Sequence, residues 1–313
     1  LIDHGWTPLV RPDGSLDYSC GGVAARIPKR PGDILSLTKL REDMQKMGTT
    51  TEPSSTAGFR KDTSTRRSSD NPAASQLEVA AAETRTEGST TVVHVTGYQR
   101  YDLKMSAKEH IFDVTVHSNV AKMATVRQLL QDAYTKTGCR SLTDVGSNTG
   151  VVGLMAMQAG YTSVTNMEHD TEYVGVQRQV KQTMEGIGYG DKAASITIVQ
   201  GSVSSSVAAP TSDMVVGLAI VHWLYSATAD FGSLDAIVGW FAKESPPVLL
   251  LEWMHEDDGP ALMHTKKNPT VQRDAYTTEN FEAALKSRYG SVTTYASDRP
   301  TRTLYFATDL KDA

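Results

Sequence analysis

The chain has 313 residues, of which 39% are hydrophobic and 21% charged, so it can form a core and is not a wholly disordered protein. No stretch approaches the roughly 18 consecutive apolar residues of a membrane-spanning helix, and the formal net charge of -5 provides no overall positive field for nucleic acid. Cys20 and Cys139 lie far apart and outside any Cys-x-x-Cys pattern, which excludes a disulfide framework and predicts a reducing, cytoplasmic location.

Residues 1–47 are predicted to be a small N-terminal segment. Turn signals at 12–14 and 31–33 divide it, and a helix is predicted at about residues 36–47. Because roughly forty residues rarely fold alone, we expect this segment to dock on the main domain, pair with another chain or be the remnant of an upstream domain. The chain begins at Leu1 without a signal-peptide pattern, so we expect a processed product or a piece of a larger polypeptide.

Residues 48–88 are predicted to be a disordered linker rich in Ser and Thr. Between Thr49 and Asp70, 11 of 22 residues are Ser or Thr, and Phe59 is the only large apolar side chain. Too little apolar surface is available there to offset the entropy of ordering the chain. The linker is expected to continue to Gly88, with one or two helical turns possible at residues 77–82.

Residues 89–313 are predicted to form one globular domain. It starts with a half-buried strand at about residues 90–98, continues with a lid over the ligand at 99–110, and then forms a helix at 118–135, with Lys122 on its polar face. Strands and helices then alternate, with strands at 141–145, 163–167, 195–199, 213–220, 248–252, 291–295 and 303–307, and helices at 151–159, 172–184, 234–243 and 278–287. This alternation predicts an α/β fold, with helices on both faces of a mostly parallel seven-stranded sheet and an antiparallel hairpin at its C-terminal edge.

A glycine-rich loop at residues 144–153 joins the first strand of this sheet to its helix. Gly146 is expected to allow a sharp turn, Gly150 to let a ligand approach the backbone, and Gly153 to let the helix pack closely on the sheet. Such a crevice at the carboxyl ends of parallel strands binds a nucleoside-bearing small molecule.

The residues around these glycines indicate which nucleoside compound is bound. A dinucleotide loop has the pattern G-x-G-x-x-G, but position 148 is Asn, and the carboxylate of Asp144 would repel a pyrophosphate. S-adenosyl-L-methionine carries positive charge on its sulfur and its amine, so a carboxylate beside the loop favours it. For the same reason, Asp144 disfavours the interpretation of the protein as a nicotinamide-dependent oxidoreductase.

With its acidic-x-Gly-x-x-x-Gly pattern, this loop resembles the first motif of the class I S-adenosylmethionine-dependent methyltransferases. The match is detailed over about residues 142–154 and loose from there to the C-terminus. It implies the Rossmann-like fold of that family and S-adenosyl-L-methionine as cofactor, held by Asp144, Gly146, Ser147, Asn148 and Gly150. Glu168 ends the next strand, 24 residues beyond Asp144, and is expected to accept hydrogen bonds from both ribose hydroxyl groups.

The resemblance also implies roles after the third and fourth strands. After its third strand the family often has an acidic residue that binds the adenine amine. This chain has Gly201 and Ser202 at that position, and a serine accepts only a weaker, neutral hydrogen bond. Ile220 is assigned to the cofactor. His222 is the first candidate for a catalytic base or for orienting the acceptor, with a structural histidine as an equal alternative. For Trp223, a place in the core is favoured over a wall of the cofactor site.

Two further residues are catalytic candidates. Glu252 ends a predicted buried strand, where a carboxylate is either paired or functional. Arg299 lies in the last hairpin, where it could hold an anionic or polyhydroxyl acceptor, although a surface salt bridge is favoured. No metal site is predicted, because His255 and the three carboxylates after it lack a ligand spacing and are expected to form a solvated acidic loop.

The sequence therefore predicts a methyltransferase that acts on oxygen of a carbohydrate or small-molecule acceptor. Residues 213–308 faintly resemble methyltransferase domains that modify surface polysaccharides. An RNA cap methyltransferase that acts on the cap guanine is an alternative. Cap-ribose enzymes use a Lys-Asp-Lys-Glu tetrad, and this chain has Val221 and His222 in place of its Asp. Nucleic acid is therefore an unlikely partner. A catalytically inactive methyltransferase-like interaction module of a larger polypeptide is the other alternative.

Overall fold

The computed structural model describes residues 80–209, 211–226, 230–259 and 272–311, together with three short N-terminal strands. The chain divides into two units, Leu1–Asn71 and Pro72–Ala313. In the first unit, an antiparallel sheet with the order β1-β2-β3 is formed by Thr7–Val10 (β1), Leu16–Cys20 (β2) and Val23–Arg26 (β3). The sequence predicted no strand there, and the helix predicted at 36–47 lies outside the described residues.

The second unit begins with an antiparallel meander of four strands, Ala82–Glu87 (β4), Thr90–Val95 (β5), Tyr101–Ser106 (β6) and Ile111–Val116 (β7). Strand β4 lies within the residues predicted as linker. Apart from the buried Ala82, its side chains are polar and exposed, so it lacks an apolar pattern and is held by backbone pairing with β5 along its whole length. The division of the chain at residues 47 and 88 stays a prediction.

The main sheet has seven strands in the order β10-β9-β8-β11-β12-β14-β13. The first five of these are parallel, and β14 pairs antiparallel with both β12 and β13. This confirms the predicted α/β class, the seven strands and the antiparallel hairpin at the C-terminal edge. The strands span Ser141–Val145 (β8), Ser163–Glu168 (β9), Ile196–Gln200 (β10), Met214–Gly217 (β11), Val248–Met254 (β12), Tyr289–Ala296 (β13) and Arg302–Leu310 (β14).

Helices cover both faces of the sheet. They span Val120–Asp132 (α1), Val151–Ala159 (α2), Thr171–Gly186 (α3), Gly190–Ala194 (α4), Val221–Ser226 (α5), Leu234–Ala242 (α6) and Thr278–Arg288 (α7). A π-helical turn, Ala133–Thr137, extends α1 and ends at Gly138, whose φ of 78° is the left-handed conformation expected of a helix-ending glycine. A 3-10 turn, Arg273–Ala275, precedes α7. Among the described residues, no helix combines the length and apolar character needed to cross a membrane.

Two hydrophobic clusters fill the space between these layers. One packs the meander and the helices α1, α2 and α3 against the sheet. The other packs α5, α6 and α7 against the opposite face and contains stacked aromatic rings, with Trp253 lying 4.6 Å from Phe281 and 4.3 Å from Tyr276 between ring centroids. Because both faces are buried, the strands of the sheet present their polar side chains mainly at their ends.

We expect Gly153→Ala to destabilise the fold. A Cβ atom at this position of α2 would lie 2.6 Å from Asn166 Oδ1 and 2.7 Å from Val164 Cγ1, both on β9. The overpacking should lower the free energy of unfolding by about 1–3 kcal/mol in urea titrations. Gly175→Ala in α3 is the control, because its Cβ would meet nothing within 4 Å, and it should be neutral or stabilising by up to about 1 kcal/mol. Equal stability of the two variants would contradict this expectation.

Candidate functional site

The glycine-rich loop connects β8 to α2 through two left-handed glycines. Gly146 has φ of 75° and Gly150 has φ of 83°, and α2 begins directly after Gly150. A Cβ atom on Gly146 would lie 2.8 Å from Cδ1 of Ile220, so the side chain of Ile220 packs onto the turn. The prediction that Gly146 permits a sharp turn is confirmed, and Ile220 joins the loop from the segment after β11.

Gly150 has a different role from the predicted one. A Cβ atom there would lie 2.9 Å from Nδ2 of Asn166 and 3.2 Å from Cγ of Gln177. The space beside Gly150 is therefore filled by the protein itself, and the expectation that this glycine makes room for a ligand is wrong. Gly153 has the predicted role, because Val164 of the sheet occupies the position next to it.

Most backbone N–H groups of the loop donate within the protein. The amides of Gly146 and Ser147 both donate to the carbonyl oxygen of Met167, at 2.9 and 3.0 Å, and the amide of Gly150 donates to Ser147 O at 2.8 Å. The amide of Asn148 donates to Glu168 Oε2 at 2.7 Å. A phosphate-binding loop directs such groups at its anion, so this geometry agrees with the prediction that no pyrophosphate is bound.

Glu168, the last residue of β9, is the acceptor that holds this arrangement. In addition to Asn148, its carboxylate accepts hydrogen bonds from the amides of His169 and Asp170, at 2.7 and 2.9 Å. Burial opposes ionisation of Glu168, but the hydrogen bond from the side chain of His169, whose Nδ1 lies 2.9 Å from Oε1, and those from the amides of Asp170 and Asn148 outweigh it and lower its pKa. Glu168 is therefore a carboxylate at neutral pH, and Oε2, which accepts from Asn148 alone among the described residues, can also accept a ribose hydroxyl.

The buried side-chain amides of Asn166 and Gln177, which were not predicted as site residues, form a hydrogen-bond network that supports the loop. Gln177 of α3 donates to Ser147 Oγ at 3.0 Å and to Asn148 O at 2.6 Å, and accepts from Asn166 Nδ2 at 3.1 Å. Asn166 and Gln177 are both buried. Gln177 lies on the apolar face of α3, three residues from Val174 and from Val180. A polar residue within an apolar stripe is a sequence signal from which this buried amide could have been predicted.

The meander clamps the loop from the other side. Tyr101 is fully buried and its hydroxyl donates to Thr149 O at 3.0 Å, while Thr149 Oγ1 donates to Gln99 O at 3.2 Å. The segment predicted as a lid at 99–110 is thus strand β6 with its turn, and Tyr101 is a structural support. Tyr98 is half exposed and lines a cavity together with Val151, the first residue after the loop.

Asp144 is a buried carboxyl group at the end of β8. It is 2% exposed, and Oδ2 has no hydrogen-bond partner among the described residues. Burial, assisted by the negative charge of Glu168, raises the pKa of Asp144 to about 8. An isolated carboxyl group of this kind costs free energy unless it binds a partner.

The other predicted cofactor residues lie along the same edge of the sheet. Gly201 follows β10, and its amide donates to Glu168 O at 2.9 Å. Ser202 is exposed one residue further on. The structure thus brings Asp144, the glycine-rich loop, Glu168, Gly201 and Ile220 together at the carboxyl ends of adjacent strands, as the sequence predicted.

His222 and Trp223 lie in the short helix α5. His222 is 3% exposed, and its ring centroid lies 5.6 Å from that of Trp223. The role of His222 as a base stays a prediction. Trp223 is 44% exposed, so the preference for a place in the core is wrong for this residue.

Glu252 forms an ion pair with Lys122, which was predicted to lie on the polar face of α1. Lys122 of α1 is 4% exposed and its Nζ atom lies 3.1 and 3.3 Å from the two carboxylate oxygens of Glu252, which is fully buried. Ser297 Oγ donates to Glu252 Oε1 at 2.5 Å. The prediction that Lys122 lies on the polar face is wrong, because it shares the buried face of α1 with Val126, Leu129 and Ala133. The spacing of these residues in the sequence already places them on one face of a helix.

The last hairpin contains a buried arginine, but it is Arg302 and not Arg299. Arg302 Nε lies 3.2 Å from Asp258 Oδ2, both side chains are buried, and Thr301 Oγ1 donates to the same oxygen at 2.6 Å. Arg299 is exposed, and its role stays a prediction. The acidic loop is only partly solvated, because Asp258 is enclosed by these contacts. Within the described residues, no group of three or more His, Cys, Asp or Glu could hold a metal ion.

Solved structures with similar folds include the bifunctional kinase-methyltransferase WbdD and two other methyltransferases. Monomeric WbdD is 14% identical, with a TM-score of 0.44, and the match covers 62% of this chain and 42% of the WbdD chain. Magnesium protoporphyrin IX methyltransferase from Synechocystis PCC 6803 with bound SAH is 14% identical, with a TM-score of 0.42 and coverage of 59% of this chain and 82% of that one. Human N-acetylserotonin methyltransferase in complex with SAM is 15% identical, with a TM-score of 0.39 and coverage of 59% of this chain and 52% of that one. The match therefore spans less than half of the WbdD chain. No protein-family model and no curated protein matches the sequence.

The protonation of Asp144 should make the free energy of unfolding depend on pH. Folding raises its pKa from 3.8 to about 8, so the folded chain retains a proton that the unfolded chain loses in this pH range. The free energy of unfolding therefore falls as pH rises from about 4 to about 8 and then levels off. In Asp144→Asn this contribution is absent, and the Tm of the variant should rise relative to wild type across that range.

Thermal melts at several pH values between about 5 and 8 measure this difference. Asp257→Asn is the control, since Asp257 is an exposed carboxylate on the loop after β12, and its Tm should follow the wild-type pH dependence. A constant Tm difference between Asp144→Asn and wild type at all pH values would show that Asp144 has an ordinary pKa.

Proposed function

We propose that this protein is an S-adenosylmethionine-dependent methyltransferase. The observation that carries the proposal is the pair of carboxyl groups at the edge of the sheet, Asp144 and Glu168, on either side of a loop whose amides are largely used within the protein. A site with two acidic groups and few available N–H donors is suited to a cationic nucleoside and unsuited to an anionic one.

Each group has a distinct part in binding. Glu168 Oε2 accepts a hydrogen bond from the ribose, while Oε1, fixed by the amides of His169 and Asp170, keeps the carboxylate oriented. Asp144 provides the counter-charge: a bound cation lowers its pKa from about 8, so that Asp144 loses its proton as the ligand enters. Ile220 packs the turn at Gly146, and Gly201 and Ser202 border the expected adenine position.

The bound cofactor supplies a methyl group that is activated by a positively charged sulfur. The protein then needs to exclude water and align an acceptor atom. We propose oxygen of a carbohydrate or small-molecule acceptor as the site of methylation, with His222, Glu252 and Arg299 as candidates for acceptor contacts. The buried ion pair of Glu252 supports a polar acceptor site close to the donor.

Titration calorimetry with S-adenosylhomocysteine tests cofactor binding. Wild type should bind with micromolar affinity, and Gly146→Arg should lose binding because its side chain would meet Ile220 at the turn. Gly138→Arg is a matched control, since Gly138 has nearly the same φ, 78°, but nothing within 4 Å of its Cβ position. This control should bind as wild type does, which separates loss of the site from strain at a left-handed residue.

Two results would count against the proposal. Absence of heat with the wild-type protein would favour the inactive interaction module over an enzyme. Equal affinity of Gly146→Arg and wild type would place the nucleoside elsewhere than at this loop. Circular dichroism of each variant confirms that the fold is retained before either result is interpreted.

A further inference from the structure

A cavity lies between the glycine-rich loop, the meander and α1. Its lining includes Tyr98, Gln99, Ser118, Lys122, Val151 and Leu218. Val151 is the first residue after the glycine-rich loop, and Leu218 directly follows β11. The cavity is therefore adjacent to the proposed donor site, at the carboxyl edge of the parallel strands.

Lys122 is the charged residue of this lining, and its side chain ends in an ammonium group. It has three N–H groups, and the two oxygens of Glu252 are the only acceptors within hydrogen-bond distance of Nζ among the described residues. One N–H is thus available to a ligand, and the cavity, with a volume of about 20 Å³, admits a group the size of a hydroxyl. Glu252 is in turn fixed by Ser297 from the last hairpin, so the ammonium is held from two elements of the fold.

We propose that Lys122 donates this third N–H to the oxygen of an acceptor hydroxyl group, with Glu252 as the residue that positions the ammonium. The proposal rests on the proposed function, because the acceptor must lie beside a bound methyl donor. Lys122 and Glu252 together carry no net charge, so this pair has no excess of positive charge to attract an anion. An uncharged alcohol, such as a sugar hydroxyl, is therefore the expected acceptor, and a carboxylate or phosphate is not.

The hydrogen bond has two effects on the transfer. It occupies one lone pair of the acceptor oxygen and so orients another towards the methyl carbon, and it favours loss of the hydroxyl proton by stabilising the alkoxide character of the oxygen as that proton leaves. The acceptor oxygen forms a bond to the methyl carbon while the carbon–sulfur bond breaks with its electrons staying on sulfur. The hydroxyl proton passes to solvent water, and the sulfonium becomes a neutral thioether.

The test measures transfer of a tritium-labelled methyl group to glycerol and methyl α-mannopyranoside, and to glucuronate as an anionic comparison. Wild type should label the uncharged probes in preference. Lys122→Met should lower kcat by about 100-fold or more, while its affinity for S-adenosylhomocysteine stays within about twofold of wild type. Glu252→Gln should cause a smaller loss of kcat, again with donor affinity retained, because one carbonyl oxygen still accepts from Lys122.

Two further variants keep the test decisive. Lys122→Met leaves Glu252 buried with the Ser297 hydroxyl but without its charged partner, so the double variant Lys122→Met/Glu252→Met, which removes both charges and is better tolerated in a core, is measured beside it. Lys136→Met, in the turn after α1 with a side chain 70% exposed, is the matched control and should transfer as wild type does.

Wild-type turnover in either folded Lys122 variant would overturn the proposal. So would a wild-type protein that binds S-adenosylhomocysteine yet labels neither uncharged probe, or one that prefers glucuronate. Failure of the proposed function is distinguishable from these results, because a wild-type protein that binds no S-adenosylhomocysteine fails at the donor site before any acceptor is involved.

Discussion

The hydrogen bond from the amide of Asn148 to Glu168 determines the shape of the candidate site. It ties the glycine-rich loop to the end of β9, and the remaining hydrogen bonds of Glu168 tie the same carboxylate to the start of the segment that leads into α3. Gly146 and Ser147 donate to Met167, the residue before Glu168, so the loop follows the end of this strand over several residues. The charge of Glu168 also contributes to the raised pKa of Asp144, which links the geometry of the loop to its electrostatics.

Buried ionisable groups are concentrated near the carboxyl edge of the sheet. Lys122 pairs with Glu252, Arg302 pairs with Asp258, and Asp144 has an unpaired oxygen within the described residues. Each such group costs free energy to bury, and the two hydrophobic clusters on the faces of the sheet offset that cost. Polar groups placed in a core against local preference are typical of functional sites, which is why the acceptor is sought next to Lys122.

The sequence predicted the main sheet well because its elements have strong periodic signals. Strands such as β12 are continuous apolar runs, and α7 has a threonine before it and an acidic residue in its first turn. The loop and Glu168 could be located because glycine and acidic residues at these spacings are typical of a turn that binds a nucleoside at the end of a strand. Strand β4 could not, because its pairing is made by backbone groups that leave no trace in an exposed polar sequence.

The errors in the site have a common physical cause. Lys122 was assigned to the polar face of its helix, but it is buried, and only its partner Glu252, 130 residues further along the chain, makes the burial of a lysine tolerable. Gly150 was assigned to ligand approach, although the side chains of Asn166 and Gln177 occupy that space. In both cases the deciding neighbour is remote in sequence, so the pattern around the residue could not identify it.

The proposed function depends on whether the crevice between Asp144, the glycine-rich loop and Glu168 binds a cationic nucleoside. A crystal structure of the protein soaked with S-adenosylmethionine would decide this. We expect a ribose hydroxyl within hydrogen-bond distance of Glu168 Oε2 and the positive groups of the ligand on the side of Asp144. Density for the compound at another surface, or a crevice closed by the protein's own side chains, would contradict this expectation.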